Sequence, residues 1–138
     1  MSRLSNTSLK AILFVASAML YLGVGYWLEV DRGFIMGDSL ARVASSQSVL
    51  FSRDPHLAAI GFIFTPLTAM VQVPLIWAAP VFPVLAERAL SATIMSGLFM
   101  AGAVVQVFSV GADRGLPRRC VVPFASLFAL HPMIVFYG

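Results

Sequence analysis

Two of the long runs without a charged residue constrain this chain more than any other feature. The first extends from Ala11 to Leu28 and has 18 residues, and the second extends from Ala89 to Ala112 and has 24. A helix of about 20 apolar residues crosses the roughly 30 Å hydrocarbon core of a bilayer. Only 11% of the 138 residues are charged, against roughly 25% in soluble domains, and the mean hydropathy is +0.91. The sequence therefore predicts an all-α, polytopic membrane protein.

The first predicted span covers residues 10–30. Arg3 and Lys10 lie at its start, and basic residues there favour a cytoplasmic N-terminus. A cleaved signal peptide is the alternative, because the tripeptide ASA at 16–18 resembles a small-residue cleavage site. The apolar run continues straight through that site, which favours an uncleaved anchor. Three aromatic residues near the outer end are predicted to form an interfacial belt: Tyr21, Tyr26 and Trp27.

Residues 89–111 form the second predicted span and residues 121–138 the third, with an inner loop at 112–120 between them. Small residues in the second span lie four residues apart, a spacing that lets helices approach closely. These pairs are Ala92 with Ser96 and Gly97 with Ala101. The third run reaches the last residue without a polar tail, so we expect these residues to be the N-terminal part of a longer membrane protein.

The apolar segment 66–85 is interrupted by prolines at 66, 74, 80 and 83. A proline inside a helix costs about 3 kcal/mol, and unsatisfied backbone groups are poorly tolerated in lipid. If this segment were a full span, the three arginines of loop 112–119 would lie outside, against the positive-inside bias. We therefore predict three spans plus a proline-broken interfacial or re-entrant segment, and a complete fourth span is the alternative.

This topology gives a large outer loop, residues 31–88, whose first half is polar. Gly37 and Asp38 predict a helix start, with Asp38 as the N-cap of a surface helix over 39–51. Arg42 follows Asp38 by four residues, about one helical turn, so their side chains can meet. The apolar side of this helix is predicted to face the membrane surface and to consist of Leu40, Val43, Ala44, Leu50 and Phe51.

A second polar group follows, with Arg53, Asp54 and His56 in sequence. Pro55 is expected to hold Asp54 extended and to end the helix. Each polar residue of the loop also has an ordinary interpretation, as a cap, an ion pair or a contact to lipid phosphate. His131 lies in an apolar run, where a histidine is interpreted as a packing and hydrogen-bonding residue.

Several stretches together resemble a known family. The N-terminal anchor is followed by GDSLAR at 37–42, LFSRDPHLAAIGF at 50–62 and, after a further span, HPMIVFY at 131–137. This arrangement is similar to the N-terminal part of GT-C-type integral membrane glycosyltransferases. The similarity is greatest to the large bacterial members of the plasma membrane. It covers nearly the whole chain. The resemblance implies transfer of a sugar from a polyprenyl-phosphate donor to an acceptor at the outer face of the membrane.

The resemblance also implies roles by position. Asp38 matches the first-loop acidic residue that deprotonates the acceptor or helps to bind a metal. Arg42, Arg53 and His56 are the candidates for contact with the donor phosphate, because an arginine side chain binds phosphate oxygens through a planar fork. Ser39 follows Asp38, where better-known members carry a second carboxylate. Asp54 is the candidate second carboxylate if the loop folds it back towards Asp38, and a divalent metal cofactor depends on that arrangement.

Two alternatives belong to other functional classes. A transporter fragment is suggested by the proline-broken segment, although the interiors of the three predicted spans carry no charged residue that would suggest an ion path. A non-catalytic membrane scaffold is the other. The net charge of +3 comes from scattered residues, so no nucleic-acid partner is expected. The expected partners are membrane lipids and the lipid-linked sugar donor. A single cysteine, Cys120, excludes an intrachain disulfide.

Overall fold

A computed structural model describes residues 5–61 and 65–137, and all secondary structure in these ranges is helical, which confirms the predicted all-α class. A π-helical turn at Trp27–Asp31 extends the first helix, and a 3₁₀ turn at Leu57–Ile60 follows the second. The helices are α1 (Asn6–Tyr26), α2 (Gly37–Phe51), α3 (Pro66–Ile76), α4 (Val84–Glu87), α5 (Leu90–Asp113), α6 (Arg118–Ala129) and α7 (Pro132–Tyr137).

Among the described residues, two helices are long and apolar enough to cross a membrane. They are Asn6–Asp31, which includes the π-helical turn, and Leu90–Asp113. Only 17% and 28% of their most apolar 18-residue windows are buried, whereas the core helix of a soluble protein would be mostly buried. The first two predicted spans, 10–30 and 89–111, are therefore confirmed as helices of membrane-spanning length.

The third predicted span, 121–138, is divided between α6 and α7. α6 has 12 residues, which gives it a length of about 18 Å and makes it shorter than the hydrocarbon core. The break has a local cause, because His131 precedes Pro132, and the residue before a proline is disfavoured in the helical conformation. Pro132 itself fits the first position of α7, where its missing N–H is not needed. Membrane crossing by this run stays a prediction.

The predicted break in segment 66–85 is confirmed. α3 begins with Pro66 at its first position and ends at Ile76, and a series of turns leads to the single-turn helix α4. Eleven residues give a helix of about 16 Å, too short to cross a bilayer. Large apolar side chains, including Trp77, Val81 and Phe82, are exposed in the turns after α3. Location of this segment at the membrane interface remains a prediction.

The chain forms two compact units with separate cores. The terminal unit comprises residues 1–24 and 96–138, and the central unit comprises residues 25–95. The core of the terminal unit contains Ala18, Tyr21, Ala101, Val104, Phe108, Val121, Ala125 and Ala129. The central unit has two smaller clusters, one of Val43, Ile76, Ala89 and Ala92 and one of Val49, Ile60 and Ala69.

Tyr21 supplies the most specific contact of the terminal unit. Its hydroxyl donates a 3.0 Å hydrogen bond to the backbone carbonyl of Ala129, the last residue of α6. The final carbonyls of a helix have no donor within that helix, so this bond satisfies one of them inside the core. Tyr21 is 1% exposed, and its assignment to the aromatic belt was wrong because its hydroxyl bonds protein backbone. Tyr26 and Trp27 are exposed, as expected for belt residues.

The buried side of α2 differs from the predicted apolar side. Val43, Ser46 and Val49 are buried at a three-residue spacing, whereas Leu40 and Phe51 are exposed. The hydroxyl of Ser46 donates to the carbonyl of Ala69 on α3 at 2.9 Å. A polar residue thus joins α2 to α3, because a small hydroxyl can approach a carbonyl that a larger apolar side chain would cover.

Ala89 forms the joint between α4 and α5. Its φ angle is +56°, in the left-handed region that residues other than glycine rarely adopt. Its side chain is fully buried with Val43 and Ile76, and its carbonyl accepts the N–H of Ala92 at 2.8 Å. The joint therefore combines a strained backbone with a packed methyl group.

Small residues allow close helix approach in each unit. In the terminal unit, a Cβ atom on Gly97 would lie 3.4 Å from the Cβ atom of Tyr21, and Ala101 is fully buried. In the central unit, a Cβ atom on Gly25 would collide with the Cγ2 methyl of Thr93. The predicted close-approach positions Ala92, Gly97 and Ala101 are buried, as expected.

Replacement of Gly25 by alanine should destabilise the central unit, whereas Gly23→Ala should not. We expect Gly25→Ala to lower the free energy of unfolding by about 1–3 kcal/mol through overpacking. A Cβ atom on Gly23 meets nothing within 4 Å, so that variant should gain up to about 1 kcal/mol from helix propensity. Denaturation in detergent micelles, followed by far-ultraviolet circular dichroism, measures both. Thr93→Ser removes the colliding methyl and should restore much of the loss; equal stability of the two alanine variants would contradict the close approach.

Candidate functional site

The first predicted site residue, Asp38, lies in the opening turn of α2 and is exposed. Met36 occupies the N-cap position, and both Ser39 and Leu40 donate their N–H groups to its carbonyl at 3.0 and 3.2 Å. The predicted N-cap role of Asp38 was therefore wrong, because the helix begins at Gly37. A carboxylate in the first turn still interacts favourably with the partial positive charge at the start of a helix.

Arg42 follows Asp38 by one helical turn and is partly buried. Its carbonyl accepts the hydroxyl of Ser46, the same residue that joins α2 to α3. Its Nε atom is buried, so the stem of the side chain is held within the central unit. A guanidinium fixed in this way is suited to binding a phosphate, since little side-chain entropy is lost when it binds.

The second predicted group, Arg53, Asp54 and His56, lies in the loop after α2. Ser52 donates its hydroxyl to the carbonyl of Asp54 at 2.9 Å, and Nδ1 of His56 lies 2.6 Å from the same carbonyl oxygen. The imidazole is also 3.7 Å from Oδ2 of Asp54, but the two side chains are 52% and 93% exposed. These contacts shape a surface loop, and an ion pair this exposed contributes little to stability.

The two predicted groups lie at opposite ends of α2. The helix rises about 20 Å from Asp38 to Phe51 at 1.5 Å per residue, and the three residues that follow can recover at most about 10 Å. The Cα atoms of Asp38 and Asp54 therefore stay about 10 Å or more apart. The loop does not fold Asp54 back onto Asp38. Asp38 and Arg42 lie one turn apart on α2, and His56 contacts Asp54 in the loop after it.

This separation bears on the divalent metal that the family resemblance implies. In the described ranges, no group of three or more His, Cys, Asp or Glu side chains is placed to hold a metal ion. Asp38 has Arg42 as its neighbour one turn away, and a cation on one side chain opposes binding of a metal cation beside it. Within the part of the chain that the structure describes, Asp38 and its neighbours therefore do not fit a metal ion.

A buried carboxyl group, which the sequence analysis did not select, lies at the end of the first long helix. Glu29 is 7% exposed and belongs to the π-helical turn Trp27–Asp31. The hydroxyl of Thr93 hydrogen-bonds its carboxyl group, while Oε2 is buried with no hydrogen-bond partner among the described residues. π-helical turns within α-helices are frequent at functional sites. No local sequence signal marks Glu29, because its burial depends on Thr93, which is distant in the chain.

A second buried polar pair joins α3 to α5 in the central unit. Gln72 and Ser91 are fully buried, and the hydroxyl of Ser91 donates to Oε1 of Gln72 at 3.5 Å. The amide nitrogen of Gln72 donates to the sulfur of Met95 at 3.8 Å. Gln72 is the one amide in the apolar segment 66–85, and its isolation there was the available signal. The pair supplies a buried polar contact between α3 and α5.

Comparison with known proteins gives no relative for this site. No family model, no curated protein and no solved structure matches the chain.

Proposed function

We propose that this chain is the N-terminal part of a membrane glycosyltransferase that uses a polyprenyl-phosphate sugar donor at the outer face of the membrane. The observation that carries the proposal is the start of α2, where an exposed carboxylate, Asp38, and an arginine held by its buried stem, Arg42, lie one turn apart. Two helices of membrane-spanning length and the exposed apolar side chains of the 77–82 turns support location at a bilayer.

Each group of this pair has a role in the proposed transfer. The Asp38 carboxylate takes the proton from the hydroxyl group of the acceptor while the oxygen of that hydroxyl group forms a bond to the sugar carbon. The bond between that carbon and the donor phosphate breaks, and the polyprenyl phosphate leaves with the electron pair. Arg42 binds the phosphate oxygens as negative charge develops on them. The free N–H groups at the start of a helix favour an anion at the same place.

The proposed site contains fewer residues than the family resemblance implies. Asp54, Arg53 and His56 follow the far end of α2, and we place them outside the reaction centred on Asp38. We propose that they contact lipid headgroups or an outer part of the acceptor, and that Asp38 acts without a second carboxylate. The polyprenyl tail would lie against exposed apolar side chains of the same unit, among them Trp77 and Phe82.

Asp38→Asn tests the catalytic role, with Asp54→Asn as the matched control. In membranes that carry the full-length protein, Asp38→Asn should lower the rate of sugar transfer from a polyprenyl-phosphate donor by about 10²-fold or more, the usual contribution of a general base. Asp54→Asn should stay within about twofold of the unchanged protein. Both residues are exposed, so neither variant removes a buried contact. Undiminished transfer by Asp38→Asn would rule out the proposed base.

The outer location of α2 has its own test. With Cys120 replaced by serine, single cysteines introduced at Ala44 on α2 and at Arg118 are treated with a membrane-impermeant maleimide on intact cells; both positions are exposed. We expect labelling at 44 and none at 118 until the membrane is permeabilised. Labelling at 118 in intact cells would show that the three-span topology is wrong.

A transporter is the second candidate, and Glu29 is the observation that favours it. Ionisable residues within membrane-spanning helices often mark the path of an ion or substrate, and one oxygen of this carboxyl group has no partner among the described residues. The carboxyl group would bind a cation in transit, with the Thr93 hydroxyl beside it.

Glu29→Gln separates transport from a structural role. The amide keeps a hydrogen-bonding oxygen for Thr93 and removes the charge. If the protein transports a cation, Glu29→Gln should abolish sodium or proton flux into proteoliposomes at an unchanged unfolding temperature. Glu87→Gln, which changes an exposed carboxylate of the same unit, should leave the flux intact. Equal flux in both variants and the unchanged protein would reject this candidate.

A further inference from the structure

A groove in the terminal unit lies between the C-terminal half of α5 and the start of α6. Its volume is about 620 Å³, within the range of small-molecule sites. Val107 and Val110 form the α5 wall, and Val121 and Phe124 form the α6 wall. Val110 and Phe124 are also more than half exposed, so the groove opens to the surface. An opening of this kind accepts a long apolar chain from the side.

One end of the groove is cationic. Arg114, in the tight turn between α5 and α6, is the one charged residue that lines the groove. Gly115 makes the turn possible with a φ angle of +74°, and Leu116 returns its N–H to the carbonyl of Gly111 at 3.1 Å. Arg118 and Arg119 begin α6 directly after this turn. Apart from Gln106, the groove is therefore apolar along its walls, and Arg114 supplies a positive charge at one end.

The place of Arg114 directly after α5 indicates how deep the cationic end of the groove would lie in a bilayer. α5 has 24 residues and so is about 36 Å long, slightly more than the hydrocarbon core that a spanning helix crosses. Its C-terminal end, followed at once by Arg114, would then lie at the level of the lipid headgroups. Val110 and Val107 would lie about 6 and 10 Å deeper along the helix.

We propose that this groove binds an anionic phospholipid of the bilayer, with the phosphate on Arg114 and one acyl chain along Val110, Val107 and Phe124. Basic pockets between spanning helices on the cytoplasmic side are suited to anionic headgroups, and the predicted topology puts loop 112–120 on that side. A zwitterionic lipid offers the same chain but no net negative charge. The site lies in the terminal unit and does not depend on the glycosyltransferase proposal, which rests on the central unit.

The single cysteine of the chain makes the site directly observable. Cys120 lines the groove and is exposed, so a small maleimide reports occupancy without an introduced label. We expect phosphatidylglycerol, added to the full chain in detergent micelles, to slow alkylation of Cys120. Phosphatidylcholine with the same acyl chains should halve the alkylation rate only at a concentration at least about fivefold above that of phosphatidylglycerol. One charge contact near the membrane surface corresponds to about a fivefold preference.

Three variants complete the test, with native mass spectrometry as the second measurement. Arg114→Gln should remove most of the preference for phosphatidylglycerol, whereas Arg88→Gln, which changes an exposed arginine of the central unit, should retain it. Val110→Trp fills the groove and should reduce lipid adducts in the mass spectrum with both lipids. Circular dichroism checks that each variant is folded.

The outcomes distinguish the possible occupants. Equal protection by both lipids, or an unchanged preference in Arg114→Gln, would overturn the anionic-lipid site and leave only an apolar surface. Lipid adducts that form without protection of Cys120 would show that the lipid binds elsewhere and would also overturn it. Protection by phosphatidylglycerol that Arg114→Gln weakens about fivefold would establish the site.

Discussion

Close helix approach through small residues is the constraint on which both units depend. In the terminal unit, Gly97 leaves room for the side chain of Tyr21, which can then reach the carbonyl of Ala129. In the central unit, the missing side chain of Gly25 leaves room for the methyl group of Thr93, and the hydroxyl group of Thr93 can then reach Glu29. Each glycine thus brings a polar group to a buried partner. Apolar contacts alone do not distinguish one helix face from another in a chain this hydrophobic, whereas a buried hydrogen bond requires one register.

The two long helices and the broken segment 66–85 were predictable because their signals are local. Length without charge defines a spanning helix, and a cluster of four prolines disfavours a continuous helix across 66–85. The break at Leu130 and His131 has an equally local cause, the proline that follows. The belt role of Tyr21 was wrong because burial depends on partners distant in sequence: Tyr21 bonds a residue 108 positions away.

The candidate site was predictable only in part, for the same reason. The spacing of Asp38 and Arg42 gives their proximity on any helix, so this pair could be read from the sequence. The separation of Asp54 from Asp38 follows from the length of α2, which needed a defined start and end. Glu29 resembled an ordinary charge at the end of a span. Its burial depends on Thr93, 64 positions later in the chain, and no local pattern contains that information.

Ala89 has a consequence for how this sequence can vary. The joint between α4 and α5 requires a left-handed backbone, which glycine adopts without strain, yet the same residue fills a closed space beside Val43 and Ile76. Glycine would relax the backbone and leave a void, while any larger side chain would meet both the strain and the surrounding core. Position 89 is consequently limited to a single methyl group, because a smaller side chain leaves a void and a larger one adds strain and overpacking. Among homologous chains that keep this joint, alanine should persist there where neighbouring loop positions diverge.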